Sequence, residues 1–214
     1  SGFKIAMRDL EIRGAGNLLG AEQHGNIAGV GFATYCNMLE DTVSRLRAER
    51  ENKPVPKKMP DTTVELRQDA YLDEDYIGNE GQKMEIYRRL AVAASEEELT
   101  DLIDEVIDRF GSPSRPAERL FLVSRIRVQA RRLGIGSILD EGQTLLIVWA
   151  DEEPMRRWNM NRLPHSYMSK LHFLPGAPAR VRIKKTDIQG NTAKWTSDFI
   201  EEITKEIYSG EKRA

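Results

Sequence analysis

A proline-rich stretch divides this chain into two parts that cannot share one continuous helix or strand. Three prolines stand there among lysines and acids, with little apolar material to bury: Pro54, Pro56 and Pro60. Proline lacks a backbone N–H and clashes with the preceding helical turn, so no regular element continues through the stretch. The sequence therefore predicts a linker over residues 51–61, a first segment over 1–50 and a domain over 62–214.

The clearest helix in the sequence begins at Ser95. Ser95 and Glu98 form a capping-box pattern, in which each side chain satisfies a free backbone N–H group of the first turn. Gly111 is expected to end this helix, because glycine favours the left-handed conformation that follows a helix. The predicted buried face consists of apolar residues at helical spacing: Leu99, Leu102, Ile103, Val106, Ile107 and Phe110.

Three further helices are predicted from similar signals. Asn79 is expected to cap an earlier helix, and Ser114, with Pro116 in the first turn, opens a later one that ends near Gly134. A last helix follows Gly190. The expected apolar stripe of the first is Met84, Tyr87, Leu90, Ala91 and Ala94. The expected stripe of the last is Trp195, Phe199, Ile200, Ile203 and Ile207.

Alternating stretches between these helices predict strands. Residues 64–70 and 179–184 alternate apolar with polar side chains, which is typical of half-buried strands. Residues 145–149 are apolar throughout, which predicts a central strand buried on both faces. Helices and strands occupy different stretches of the chain. We therefore expect an α+β domain with about three helices, a small sheet and a C-terminal helix.

The segment before the linker has its own pattern. Phe3, Ile5 and Met7 alternate with polar residues and predict a short strand, and a glycine-rich stretch follows. An amphipathic helix is expected from Phe32 to about Leu46. Its apolar stripe includes the single cysteine of the chain, Cys36, which excludes an internal disulfide framework and fits a reducing cytoplasm.

Several classes of function find no support in the sequence. The longest apolar run has six residues, 145–150, whereas a membrane span needs about 20. No phosphate-binding loop with its lysine occurs, and the glycine spacing over 14–20 does not fit the dinucleotide fingerprint. Residues 73–75 are either a magnesium-binding acidic pair or a solvated loop. By itself this chain is not expected to be an enzyme or to bind a metal or cofactor.

Charge is unevenly distributed along the chain. Residues 54–110 carry seven basic and fifteen acidic side chains, a net charge of −8, whereas residues 153–214 carry twelve and seven, a net charge of +5. This polarity indicates either a charge-steered contact with another protein or domain, or two solvated faces of opposite sign. A net charge of −2 argues against a dedicated nucleic-acid domain.

Two groups of basic residues are candidates for such a contact. The first is a row on one face of the strand at 179–184: Arg180, Arg182 and Lys184. Ordinary surface, a domain–domain contact and DNA binding all remain open for this row. The second group spreads around the helix that begins at Ser114: Arg119, Arg125, Arg127, Arg131 and Arg132.

Residues 2–25 resemble the translocation (TRG) motif of bacterial double-stranded-DNA translocases. The resemblance is carried by Asp9-Leu10-Glu11-Ile12-Arg13-Gly14-Ala15-Gly16, Leu18-Leu19-Gly20 and Gln23. With Gly31-Phe32 and the helix that follows, it is similar in particular to the transcription-repair coupling factor (Mfd) family. Three later runs resemble the C-terminal domain of that family: 87–91, 108–111 and 133–135.

The resemblance implies a larger parent protein and a role for this chain within it. The parent would be an ATP-dependent duplex-DNA translocase, a helicase-like superfamily 2 hydrolase that displaces stalled RNA polymerase and recruits the damage sensor of nucleotide excision repair. ATP and magnesium would bind its motor domains, and the location would be cytoplasmic. The domain over 62–214 would be autoinhibitory and contact the parent's N-terminal recruiting module. A stand-alone protein-interaction module remains the alternative.

The same resemblance assigns roles to residues of the first segment. The family's matching arginine and glutamine are implicated in turning ATP hydrolysis into movement along DNA, and these roles fall on Arg13 and Gln23. Arg8 stands where family members often have histidine. The glycines that would shape the helical hairpin are Gly14, Gly16 and Gly20, because glycine lets a backbone turn sharply. A hairpin-stapling arginine without a part in movement is the other interpretation of Arg13.

Overall fold

The computed structural model describes residues 62–208, and the predictions made for residues 1–61 lie outside the described part. The strands are β1 (Thr63–Glu65), β2 (Ile135–Asp140), β3 (Thr144–Trp149), β4 (His172–Leu174) and β5 (Arg180–Lys184). The helices are α1 (Glu80–Val92), α2 (Glu96–Phe110), α3 (Arg115–Arg132), α4 (Glu153–Arg156), α5 (His165–Met168) and α6 (Thr192–Tyr208). The fold is α+β, as predicted.

The sheet is mixed, with the strand order β1-β2-β3-β5-β4. β1 runs parallel to β2, and the other neighbouring pairs are antiparallel. One face is buried against the helices except at Phe173 of the edge strand β4, which lies opposite Val181 and is 42% exposed. The buried side chains of this face are Val64, Ile138, Leu145, Ile147, Trp149, Val181 and Ile183. We call this the inner face. Among the described residues the opposite, outer face alternates with it and is half-buried or exposed.

The three predicted helix starts are confirmed at the level of single hydrogen bonds. Asn79 Oδ1 accepts from the Gln82 amide at 3.0 Å, and Ser95 Oγ accepts from the Glu98 amide at 3.1 Å. Ser114 Oγ accepts from the amide of Ala117 at 3.4 Å. Each cap satisfies an N–H group that has no partner within its helix.

The predicted apolar stripes differ from the buried faces at three positions. Ala94 is exposed and lies beyond the end of α1, while Ile86, which the stripe did not include, is buried. Ile107 is 36% exposed on α2. The reason is geometric: α1 ends at Val92, two residues before Ala94, and α2 is covered along only part of its apolar stripe.

The predicted strands are observed with two corrections. β1 is only three residues long, because a turn closed by the Gln68 N–H donating to the Leu66 carbonyl at 2.8 Å follows it. β3 is the central strand, but Leu146 and Val148 are only half-buried. A strand buried on both faces needs helices on each side, and the described helices bury only the inner face.

An aromatic cluster joins that helical layer to the sheet. Trp158 stacks on Trp149 of β3 and meets Phe199 of α6 edge-on, with centroid distances of 6.4 Å in both pairs. Trp195 stacks on Phe199 at 5.1 Å. The Tyr208 hydroxyl donates to a carbonyl at the end of α3. The predicted buried stripe of α6 is therefore confirmed, and it places α6 beside α3 under the sheet.

Candidate functional site

The predicted basic row lies on the outer face of the sheet. Arg180, Arg182 and Lys184 alternate along β5 with the buried Val181 and Ile183, so the three cationic side chains share one face. Successive side chains on one face of a strand are about 6.6 Å apart, twice the rise per residue. The register therefore confirms the row as a linear array of three positive charges.

Contacts within the described region leave most of this charge unneutralised. The Arg182 Nη2 atom lies 3.7 Å from Glu141 Oε2, and the two side chains are 42% and 40% exposed. An exposed pair at this distance contributes little, about 0–1 kcal/mol. Arg180 Nη2 donates to the Pro175 carbonyl at 2.8 Å, which fixes the guanidinium without cancelling its charge. Lys184 is exposed.

An apolar strip runs beside the basic row, and sequence reasoning missed it. Val148 and Leu146 of β3 lie directly opposite Arg180 and Arg182, and Leu139 of β2 lies opposite Leu146. All three apolar side chains are half-buried. The signal in the sequence is the unbroken apolar run of β3, which by itself predicts burial on both faces. With helices on one face only, the same run produces an apolar strip on the other.

Lys185, the next residue after β5, is not part of the row. Its Nζ atom lies 2.8 Å from Asp140 Oδ2, and the Asp140 side chain is only 2% exposed. Asp140 also accepts from the Gly142 amide at 2.9 Å. This ion pair is partly shielded from water. Asp140 therefore neutralises the charge of Lys185 within the domain.

Within the acidic stretch 54–110, exposed carboxylates form one face of α2. Four carboxylates at helical spacing form it: Glu97, Asp101, Asp104 and Asp108. Glu105 has a different role, because Arg89 of α1 and Arg109 both bind it, at 2.7 and 3.1 Å. Hydrogen bonds from Arg89 first and Arg109 second lower the pKa of Glu105 to about 2.

Asp73, the first carboxylate of the 73–75 run, is a structural residue. It accepts a hydrogen bond from the Ser114 hydroxyl and another from the Tyr76 amide at 3.0 Å. Burial acts to raise the pKa of Asp73, but these hydrogen bonds outweigh it and the pKa is lowered. Asp73 thus connects its turn to Ser114, the N-cap residue of α3. Within residues 62–208 no group of three or more His, Cys, Asp or Glu side chains is placed to hold a metal ion.

One arginine of α3 proves to be internal. Arg127 is 4% exposed, and its Nη2 atom donates to the carbonyl oxygens of Leu90 at 2.8 Å and Ala93 at 3.3 Å. These carbonyls end α1 and have no partner within that helix. The cation also complements the negative end of the helix dipole. Arg127 is therefore excluded from the contact group proposed for the surface of α3.

The residues assigned to motion coupling and to the hairpin lie outside the described residues: Arg8, Arg13, Gln23, Gly14, Gly16 and Gly20. Their roles and the domain boundaries drawn at 1–50 and 51–61 stay predictions. No helix in the part of the chain that the structure describes is both long and apolar enough to cross a membrane.

Comparison with known proteins identifies the family. A family model described as the TRCF domain matches residues 66–159. The transcription-repair-coupling factor of Staphylococcus epidermidis (strain ATCC 35984) is 49% identical over 148 residues, and those of Staphylococcus haemolyticus and Staphylococcus aureus (strain USA300) are 48% and 46% identical over 145. This chain belongs, through its TRCF domain, to the transcription-repair-coupling factor family.

The structural comparison agrees at the level of fold. A crystal structure of the C-terminal domain of a transcription-repair coupling factor superposes with a TM-score of 0.56 at 18% identity, covering 70% of this chain and 95% of the other. The sequence matches cover 68–69% of this chain but only 12% of each of the three relatives. The basic row follows the residues matched by the TRCF domain model, which end at 159.

Proposed function

We propose that this chain is a C-terminal region of an ATP-dependent duplex-DNA translocase that displaces stalled RNA polymerase and recruits nucleotide excision repair. One observation carries the proposal: 46–49% identity to transcription-repair-coupling factors of which the match spans only 12%. A domain of that kind acts as one part of a much larger protein. ATP and magnesium would bind motor domains elsewhere in the parent.

Within the parent, the two parts of the chain would do different work. Residues 1–50 would couple ATP turnover to movement, with Arg13 and Gln23 bridging the arms of a hairpin. The planar guanidinium and the amide, which both donates and accepts, suit such a bridge. Residues 62–214 would restrain the motor and cover the parent's N-terminal recruiting module until polymerase is engaged. The separate acidic and basic surfaces of the described domain support a role in domain contacts.

A displacement assay on the full-length parent tests the coupling role. Arg13→Ala is expected to leave ATP binding unchanged and to reduce displacement of a stalled RNA polymerase at least tenfold, because hydrolysis would no longer drive movement. Lys4→Ala removes a charge from the same segment and serves as the matched control. Displacement by Arg13→Ala at the level of the control would refute the coupling role.

Removal of the domain tests the regulatory role separately. A parent protein that lacks residues 62–214 should hydrolyse ATP faster than the intact protein in the absence of RNA polymerase. An unchanged rate would contradict autoinhibition.

The stand-alone interaction module is the second candidate, and the charge-polarised surfaces favour it equally. It predicts that the 214-residue chain exists in cells without attached motor domains. Detection of the chain in cell extracts only within a larger polypeptide, by mass and by peptide mapping, would exclude it.

A further inference from the structure

We propose that the outer face of the sheet binds an acidic amphipathic helix of a partner protein or domain, along the border between β3 and β5. The inference deepens the contact role proposed above for the basic row by naming what the row recognises. Six residues form the binding surface: Leu139, Leu146, Val148, Arg180, Arg182 and Lys184.

The surface has two parallel halves of different chemistry. The apolar strip lies on β2 and β3, and the basic row lies on β5, with Leu146 directly opposite Arg182 and Val148 directly opposite Arg180. Neighbouring strands are about 4.8 Å apart, so a helix about 10 Å wide covers both halves at once. An occupant with apolar side chains on one flank and carboxylates on the other fits this division.

The spacing along the row also fits a helix. Arg180, Arg182 and Lys184 follow one another every second residue, at intervals of about 6.6 Å. Carboxylates at positions i, i+4 and i+8 of a helix are about 6.0 Å apart. A helix that lies parallel to β5 therefore brings three carboxylates beside three cations without distortion.

Charge on the far side of the strip fixes the orientation of the occupant. Glu65 of β1 lies opposite Leu139, across the strip from Arg182. A helix turned the other way would place its carboxylates near Glu65 and its apolar flank on the cations. Like-charge repulsion therefore disfavours the reversed orientation, and the surface selects for direction as well as for charge.

The apolar strip favours a protein partner over nucleic acid. Duplex DNA presents charged phosphates on both sides of its grooves. Phosphates gain nothing from contact with the apolar side chains of Leu139, Leu146 and Val148. Three cations next to a carboxylate at Glu141, 3.7 Å from Arg182, would bind phosphates weakly and lose that affinity steeply with salt. Apolar burial beside the ion pairs gives an acidic amphipathic helix an additional source of affinity.

A peptide-binding experiment on the 214-residue chain tests the inference. The probe is a synthetic 15-residue helical peptide with glutamates at i, i+4 and i+8 beside a leucine stripe, and the control peptide has glutamine at those positions. Binding is measured by fluorescence anisotropy and mapped by amide chemical shifts in the isotope-labelled chain. We expect the acidic peptide to bind and to shift the amides of β3 and β5, and the glutamine peptide to bind about tenfold more weakly.

Matched variants separate the surface from net charge. The double variant Arg180→Gln/Arg182→Gln should weaken peptide binding about tenfold. The control Arg156→Gln/Arg157→Gln, at the C-terminal end of α4, removes the same charge and should change binding less than twofold. Leu146→Thr should weaken binding several-fold while the row stays intact. Denaturation curves of each variant check that it folds.

Four outcomes of the binding experiment would overturn the inference. They are no binding of the acidic peptide, equal binding of the two peptides, binding that the β5 variants leave unchanged, and tighter binding of a 15-base-pair DNA that those variants abolish. Dimerisation of the chain that the β5 variants prevent would assign the face to a second copy and also overturn it. The proposed regulatory role is tested separately, by ATP hydrolysis of the full-length parent. If the peptide binds as expected but the β5 variants do not alter this hydrolysis, the binding surface stands and the regulatory role is contradicted.

Discussion

At the scale of single residues, Gly134 occupies a position that only glycine can fill. It has a φ of 71°, and a Cβ atom added there would lie 2.3 Å from the carbonyl oxygen of Asp151. The Gly134 carbonyl accepts from the amides of Ala150 and Asp151, so the end of α3 and the end of β3 meet at this backbone. The close approach holds the helical layer against the sheet.

Gly134→Ala is therefore expected to destabilise the chain by about 3 kcal/mol or more, from a left-handed backbone and a backbone clash together. Gly111→Ala is the control without a clash, since Gly111 has a φ of 81° and a ψ of −164° but open space around the added Cβ, and it should cost about 1–3 kcal/mol. Urea denaturation of both variants measures the difference. Equal losses would show that the clash is relieved by movement of residues 150–151.

Arg127 is the second residue whose role depends on its surroundings. Arg127→Ala removes the charged donor that binds two carbonyls at the end of α1 and leaves space in the core. We expect a loss of about 2–4 kcal/mol of the free energy of unfolding. Arg125→Ala, on the exposed side of the same helix, should change it by less than about 0.5 kcal/mol. Similar urea midpoints for the two variants would contradict the internal role.

At the scale of elements, the ion triad of Glu105 ties α1 to α2. Arg89 reaches Glu105 from α1, and Arg109 reaches it from the next turn of α2. The folded pKa of Glu105, about 2, lies below its ordinary value of 4.5. The folded state thus binds this proton less readily than the unfolded state, and the triad's contribution to stability is present above pH 4.5 and lost as the pH falls toward 2.

Glu105→Gln should therefore lower stability at neutral pH and flatten the decline of stability between about pH 4.5 and pH 2. Asp104→Asn is the control, because Asp104 is an exposed carboxylate on the same helix for which the described residues provide no ion-pair partner. Denaturant midpoints measured across this pH range give the comparison. A Glu105→Gln profile parallel to that of the parent chain would show that the triad adds no pH dependence.

At the scale of the whole molecule, the chain is predicted to consist of a folded domain behind a cleavable linker. Trypsin cuts after lysine but poorly before proline, so Lys57 and Lys58 are the expected cleavage sites of the predicted linker, whereas Lys53 precedes Pro54. We expect brief digestion to accumulate a fragment that begins at Met59, identified by mass spectrometry. Cleavage within residues 62–208 at the same rate would contradict this domain boundary.

The sequence by itself determined the local structure of the domain. Caps at Asn79, Ser95 and Ser114, the stop at Gly111 and the apolar stripe of α6 depend on hydrogen bonds and periodicity within a few residues. Such signals are readable because a helix satisfies most of its backbone groups internally. The α+β class followed from the order of these elements.

Only the tertiary structure decided which surfaces are exposed. The apolar run of β3 became a half-exposed strip because the described helices cover one face of the sheet, and Arg127 became internal because α1 ends against it. The parallel pairing of β1 with β2 joins residues more than seventy positions apart, such as Thr63 and Ser137. Burial and strand pairing depend on which elements meet in space, and no local pattern in the sequence records that.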